Sequence, residues 1–199
     1  MSTGGWWDAI WRLFAGSAAP DARGRFIGEI VAQLLPDGRN LMLVDAFGYI
    51  DPEGERWDVP AGAETDGASV PRAFWIAYPP FTGRYRKAAV VHDRYCQTRE
   101  RDWQRTHKVF YNAMLTAGVD DVTAKLLYGA VYHMGPRWGG ELERSPGAPA
   151  PLGSRSRAAP APQDDQQQLE VMGRLESWIK RDNPTAEQIA KALDRGQIP

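Results

Sequence analysis

The sequence predicts an α+β fold in which a small antiparallel β-meander precedes a helical bundle. Three observations support this prediction. Short β-rich segments separated by turn residues fill residues 26–59, helical periodicity follows from residue 86, and the two kinds of segment do not alternate along the chain. The chain of 199 residues is long enough to bury a core without disulfides.

The strands come first. The turns Pro36–Gly38 and Asp51–Gly54 divide the β-rich region, because proline presets φ and glycine accepts positive φ. The segments between and beside the turns are predicted as strands: Phe26–Ala32, Leu41–Val44, Phe47–Ile50 and Arg56–Val59.

Three helices follow the strands. The first spans Arg86–Gln97, with an apolar run before His92. The second is predicted from Trp103, His107, Phe110 and Met114, which recur at helical spacing on one face. Asp120 or Asp121 can cap the third, and Gly135–Pro136 ends it.

Composition divides the chain into four parts: an amphipathic segment over 1–24, the α+β domain over 25–140, a linker rich in Pro, Ala, Ser and Gly over 141–165, and a C-terminal helical pair over 166–199. In the pair, Asn183 is the expected N-cap of the last helix and Pro184 its first residue. Two helices cannot bury an apolar face alone, so the pair is expected to dock on the domain or on a partner.

Bulk composition excludes several classes of protein. The net charge is −1, although residues 26–66 carry −7 and residues 84–108 carry +5. No nucleic-acid-binding signature accompanies the basic region, so nucleic acid is not an expected partner. The single cysteine, Cys96, excludes an internal disulfide framework and an all-cysteine zinc site. No secretory signal begins the chain, which predicts cytoplasmic synthesis.

Eight tryptophans are present, and three of them lie within the first eleven residues. Trp7, Trp11 and Phe14 share a helical face, with Trp6 beside them. Such an aromatic face suits a membrane–water interface or a protein partner. The segment therefore predicts peripheral membrane association or a partner contact.

Two segments carry candidate chemistry. In the first, Thr65-Asp66-Gly67-Ala68-Ser69, a carboxylate beside a permissive glycine could bind a hard cation such as Ca²⁺. A purely structural interpretation fits the sequence better: Ser69 as an N-cap and Asp66 closing an Asx-turn.

The second segment, His92-Asp93 with Tyr95 and Cys96, emerges from the apolar helix. His107 lies on the apolar face of the next helix and is expected to point inward. Two buried histidines cannot both stay charged, so at least one is available as a base or a ligand. The alternative is a satisfied network of core hydrogen bonds. A third hypothesis is a zinc site of His92, Cys96 and His107, with Asp66 or Asp93 as fourth ligand.

These segments resemble a bacterial and phage domain family of unknown function, number 1353. The matching positions include Thr65–Arg72, His92-Asp93, Tyr95 and the run from Gly135 to Trp138. The resemblance implies a shared fold for residues 26–138 and does not supply an activity.

A more distant similarity is to secreted phospholipase A2 enzymes. It implies that His92 is the base that activates water and that Asp93, with Asp66 and the Gly67 backbone, binds Ca²⁺. His107 stands where that family places an acid, and the disulfides of that family are absent.

Two functions follow as hypotheses. The first is a membrane-associated hydrolase that cleaves lipid esters with His92, Asp93 and His107, with Ca²⁺ as cofactor or Zn²⁺ as the alternative. The second is a non-catalytic phage-derived structural or accessory protein, free or in a phage particle, that binds partner proteins through its aromatic termini.

Overall fold

The computed structural model describes residues 23–38, 40–66, 83–138 and 162–199. The described elements confirm the α+β class, with strands before helices. Six strands come first: β1 (Arg25–Ile27), β2 (Ala32–Leu34), β3 (Leu41–Leu43), β4 (Phe47–Ile50), β5 (Arg56–Val59) and β6 (Glu64–Thr65). Five helices follow: α1 (Arg86–Thr98), α2 (Trp103–Thr116), α3 (Asp121–Met134), α4 (Pro162–Asp182) and α5 (Ala186–Asp194).

The strands form two small antiparallel sheets instead of a single meander. One has the order β1-β4-β5 and the other β2-β3-β6. The predicted strand Phe26–Ala32 is interrupted at Gly28, whose φ of 77° is not compatible with an extended strand. The chain therefore changes sheets between β1 and β2, and β1 pairs with β4 rather than with its neighbour in sequence.

Helices α1 and α2 begin and end close to the predicted residues. The Asp102 carboxylate accepts the Arg105 backbone N–H at the start of α2, and Asp120 does the same for Thr123 at the start of α3. Helix α3 ends at Met134, directly before Gly135–Pro136. The Asp120 cap and the glycine–proline stop thus confirm the prediction, whereas the Asp102 cap was not predicted.

Helix α3 lies at the centre of the molecule. One hydrophobic cluster joins its Ala124, Leu127 and Val131 to α1, α2 and the strands. A second cluster joins its other face, through Leu126 and Ala130, to α4 and α5. The C-terminal helical pair therefore docks on its own chain, and α3 is buried on both sides.

The junction between α4 and α5 differs from the prediction. The N-cap of α5 is Thr185, which forms a capping box with Gln188. Asn183 instead takes a positive φ of 46°, and its Oδ1 accepts a hydrogen bond from Lys125 Nζ at 2.5 Å. The lysine also pairs with Asp121, so this junction is tied to the start of α3 by a buried cation.

Two further boundaries concern the termini. Helix α4 begins at Pro162, four residues before the predicted start of the C-terminal part. The aromatic segment with Trp6, Trp7, Trp11 and Phe14 lies outside the described residues. In the described helices, none is both long and apolar enough to cross a bilayer.

Candidate functional site

Helix α1 directs His92 and Asp93 to different neighbours. Both side chains are buried, with His92 only 2% exposed. Adjacent residues on a helix point about 100° apart, so the two side chains cannot share one partner easily. His92 faces α2, whereas Asp93 faces β6.

The inward position predicted for His107 is confirmed. His107 is fully buried on α2, and its Nδ1 lies 2.8 Å from His92 Nε2. The distance is that of a hydrogen bond in which one imidazole donates and the other accepts. The two rings lie with their centroids 5.0 Å apart, and Phe110 stacks on the opposite side of His92 at 4.9 Å.

Cys96 completes a cluster with these two histidines. It lies one helical turn beyond His92, and its Sγ is 3.5 Å from His92 Nε2. The ligand atoms of His92, Cys96 and His107 all lie within 4.8 Å of one another. We call these three residues the His–Cys–His cluster.

Burial controls the protonation of this cluster. Desolvation lowers the pKa of His92 well below its usual value, and the neighbouring His107 lowers it further. Desolvation also lowers the pKa of His107 to about 4. Burial and, secondarily, the Asp93 carboxylate raise the pKa of the Cys96 thiol. At neutral pH the cluster therefore contains two neutral imidazoles and a protonated thiol.

The far side of His107 faces an aromatic wall. Trp103, Tyr132 and Trp138 surround its ring, at centroid distances of 5.5, 6.4 and 6.3 Å respectively. The His107 Nε2 atom is buried and has no hydrogen-bond partner among the described residues. The Pro136 carbonyl lies beside the ring and offsets part of the pKa shift, but the contact falls short of hydrogen-bond geometry.

Asp93 binds the segment that the sequence singled out. The Thr65 hydroxyl donates to Asp93 Oδ2 at 2.5 Å, and both side chains are buried. Asp66, next in the chain, is exposed. Gly67 and Ser69 lie outside the described residues. The structure thus brings Thr65 and Asp93 together, and it places neither Asp93 nor Asp66 within the His–Cys–His cluster.

Tyr95 does not support His92. Its hydroxyl accepts the backbone N–H of Asp58 at 2.9 Å, and its ring packs edge-on against Trp57 at 4.8 Å. Helical spacing placed Tyr95 on the His92 side of α1, but the sheet lies close enough to engage it instead. Tyr95 therefore anchors α1 to β5.

The sequence predicted that Gly135–Pro136 ends a helix and that Gly135 to Trp138 match the family. It did not predict that this segment packs against His107. A Cβ at Gly135 would meet the Val131 carbonyl oxygen at 2.2 Å and His107 Cε1 at 3.1 Å. The Trp138 indole donates to the Arg101 carbonyl at 2.6 Å, which holds the segment over His107. A glycine directly after a helix was the available signal for this close approach.

We expect Thr65→Val to destabilise the fold, because the buried Asp93 carboxylate loses a hydroxyl donor. Such a loss costs about 1–3 kcal/mol. The measurement is the free energy of unfolding in urea at pH 7. Thr98→Val is the matched control, since the buried Thr98 hydroxyl on the same helix has no partner among the described residues. Equal stability of the two variants would contradict the role of the Thr65–Asp93 bond.

Comparison with known proteins shows relatives that are similar to part of this chain. An uncharacterised protein of Sinorhizobium fredii, y4iH, is 44% identical over 119 residues, which are 59% of this chain and 50% of the relative. A second from the same organism, y4jT, is 41% identical over 127 residues, 63% of this chain and 36% of the relative. The chain thus spans half or less of the length of these curated relatives.

No solved structure is detectably similar to the chain. Neither relative has a description that mentions a phospholipase, so the phospholipase A2 resemblance gains no support. A family model described as "Protein of unknown function (DUF1353)" matches residues 41–131, which include His92, Asp93, Cys96 and His107. The family resemblance predicted from the Thr65–Arg72 and His92-Asp93 segments is therefore confirmed for residues 41–131.

Proposed function

We propose that the domain binds a single transition-metal ion, with Zn²⁺ as the preferred metal, through His92, Cys96 and His107. The observation that carries the proposal is the convergence of three ligand atoms within 4.8 Å. The two ligands on α1 are one turn apart, and the third comes from the antiparallel helix packed against it. A site of this kind needs both helices in place, so metal binding should also stabilise the fold.

The donor atoms favour zinc over calcium. Zinc is bound by cysteine sulfur and imidazole nitrogen, whereas calcium takes six to eight oxygen ligands. Asp93, the calcium ligand expected from the sequence, is bonded to Thr65. Calcium binding stays a prediction, because the described residues include no cluster of carboxylates that could hold the ion. The three donor atoms that suit zinc, in contrast, already lie close together.

The protonation states suit metal binding. A histidine must be neutral to bind a metal, and the lowered pKa values of His92 and His107 keep both neutral at pH 7. The Cys96 thiol must lose its proton when the metal binds. Zinc affinity should therefore increase with pH.

Three protein ligands leave a fourth tetrahedral position. Asp66 and Asp93 were the expected fourth ligands, and neither joins the cluster. In zinc proteins a three-ligand site with water in the fourth position is typical of catalysis, and a four-ligand site is typical of structure. The fourth ligand thus decides whether the metal serves chemistry or folding.

The lipid-ester hydrolase remains the proposal for a catalytic role, and a non-catalytic accessory protein remains its alternative. Burial of His92 and Asp93 favours the alternative, because a general base must reach water and substrate. Fatty-acid release from phospholipid vesicles, with Ca²⁺ or Zn²⁺, separates the two. Release that disappears in both His92→Ala and Asp93→Asn supports the hydrolase, and absence of release removes it.

The metal proposal is tested by equilibrium dialysis of the full chain against Zn²⁺ at pH 7.5. We expect one zinc per chain in the wild type and loss of at least 100-fold in affinity in Cys96→Ala and His107→Ala. His133→Ala is the matched control, because His133 is exposed at the end of α3. Substitution with Co²⁺ should produce a sulfur-to-cobalt absorption band that Cys96→Ala abolishes.

Two results would overturn the metal proposal. The first is zinc binding that survives both substitutions in the cluster. The second is wild-type protein that neither binds zinc at micromolar concentration nor becomes more stable to heat when zinc is added.

A further inference from the structure

One member of the His–Cys–His cluster differs from the other two in chemistry and in position. Cys96 provides the only sulfur of the cluster, and it is partly exposed, whereas His92 and His107 are buried. The chain contains no second cysteine, so an oxidised Cys96 cannot form a disulfide within the chain. Of the three ligands, the one most open to solvent is therefore also the one most readily oxidised.

The two histidines form an arrangement that needs no metal. His92 Nε2 and His107 Nδ1 lie 2.8 Å apart, so the two imidazoles hydrogen-bond one another. Tetrahedral zinc with bonds of about 2.0–2.1 Å to nitrogen would hold the same two atoms roughly 3.4 Å apart. The hydrogen bond and the metal ion therefore exclude one another, and the cluster has two alternative closed arrangements.

The sulfur needs little movement to pass between these arrangements. Cys96 Sγ lies 3.5 Å from His92 Nε2, and the sulfur and nitrogen ligands of tetrahedral zinc are about 3.6 Å apart. His92 and Cys96 are also one turn apart on a single helix, so their spacing does not depend on a second element. Departure of zinc would thus leave α1 and α2 packed together, with their two imidazoles paired.

We propose that hydrogen peroxide controls the zinc occupancy of the cluster by oxidising Cys96, an inference that rests on the proposed zinc site. A cysteine bound to zinc is a thiolate. Its sulfur attacks one oxygen of the peroxide, so that an S–O bond forms and the O–O bond breaks. The hydroxide that leaves takes a proton from the solvent and becomes water. The sulfur loses two electrons, which the peroxide gains, and Cys96 becomes a sulfenic acid.

Zinc release follows from this oxidation and can be reversed. Thiolate is the form of cysteine that binds metal, so the oxidised sulfur no longer holds zinc, and His92 bonds His107 instead. A thiol such as glutathione condenses with the sulfenic acid to give a mixed disulfide and water. A second thiol then attacks this disulfide, frees the Cys96 thiol and leaves as oxidised glutathione. The restored thiol can bind zinc again.

The test uses the full chain loaded with one equivalent of zinc, treated with millimolar hydrogen peroxide at pH 7.5 beside a zinc-indicator dye. We expect zinc release at least tenfold faster than without peroxide. In a parallel sample dimedone, which labels sulfenic acids, should tag Cys96 with the same time course. Removal of peroxide by catalase, followed by glutathione and fresh zinc, should restore one zinc per chain.

Two variants test the origin of the release. Cys96→His replaces the sulfur by a nitrogen ligand; we expect weaker zinc binding, with a release rate that peroxide changes by less than twofold. Met134→Leu is the matched control, because Met134 carries another partly exposed sulfur outside the cluster. It should keep the full wild-type response to peroxide.

Several results would overturn this proposal alone. They are zinc-loaded wild type that keeps its zinc in peroxide, release without dimedone labelling of Cys96, release that glutathione and zinc do not reverse, and an equal acceleration in Cys96→His. Loss of the response in Met134→Leu would also overturn it, because the methionine would then be the sensor. Wild-type protein that binds no zinc would instead overturn the proposed zinc site, and this inference with it.

Discussion

Acidification from pH 7 to pH 4 in the presence of a chelator is expected to cost the metal-free protein about 3 kcal/mol through His107 alone. The pKa of His107 is lowered from 6.5 to about 4 by burial. Between pH 6.5 and about pH 4, the unfolded chain binds a proton at His107 and the folded chain does not. The stability is therefore fully present above pH 6.5 and is lost as the pH falls.

His92 adds to this pH dependence in the same direction. Its pKa is also lowered, by burial and by His107, so the two neighbouring imidazoles both resist protonation in the folded state. The other charged groups acting on His107 are Arg137, which lowers its pKa, and Asp102, which raises it. Burial is the largest cause, so the overall direction is set by the packing of α1 and α2.

Urea unfolding of the wild type at pH 7 and pH 4 measures the loss. Carboxylates titrate in the same interval, so the relevant quantity is the difference between variants. His107→Gln should show a smaller loss of stability between the two pH values, although it is less stable at pH 7. His133→Gln should reduce the loss by much less than His107→Gln, because His133 lies at the surface and its pKa is lowered only by partial burial and by Arg137. A His107→Gln variant with the full wild-type loss would contradict the assignment.

The parts of the fold that were predictable depend on local signals. Periodicity placed His107 on the inward face of α2, and the Asp120 cap marked the start of α3. Both signals lie within one turn of the residue they describe. The division into two sheets was not predictable in this way, because the pairing of β1 with β4 joins residues more than twenty positions apart.

The junction before α5 shows why a helix start can be predicted two positions too early. Asn183-Pro184 is a good helix start by residue preference, and Thr185 is an equally good N-cap. The choice is made by Lys125, a buried cation on α3 that needs the Asn183 oxygen. That requirement arises only after the C-terminal pair has docked.

The residues of the candidate site were predictable from the sequence, but several of their hydrogen bonds were not. Helical spacing brought Cys96 to His92, and the inward position of His107 brought the second helix to them. Spacing could not show that Asp93 and Tyr95 bond to strands β6 and β5 instead.

Leu175→Asp is expected to release the C-terminal helical pair from the domain. Leu175 is fully buried on α4, against Gly129 of α3, where a Cβ would lie 2.3 Å from Leu175 Cδ2. An unpaired carboxylate at this position loses its hydration, which costs several kcal/mol. The new aspartate side chain could not turn toward solvent, because α3 and α4 are in close contact at Gly129.

Leu169→Asp is the matched control on the same helix. Leu169 is 51% exposed, and a surface substitution of this kind changes stability by about 0.5 kcal/mol or less. Limited proteolysis should therefore cleave the 162–199 region rapidly in Leu175→Asp and slowly in Leu169→Asp. Equal protection of both variants would contradict the docked arrangement of α4 on α3.

The same variant tests whether the proposed zinc site depends on the C-terminal helical pair. The His–Cys–His cluster is built by α1 and α2, whose buried residues belong mainly to the first hydrophobic cluster. Zinc binding should therefore survive in Leu175→Asp. Loss of zinc binding would indicate that α3 transmits the disruption, because its two faces stabilise the two hydrophobic clusters together.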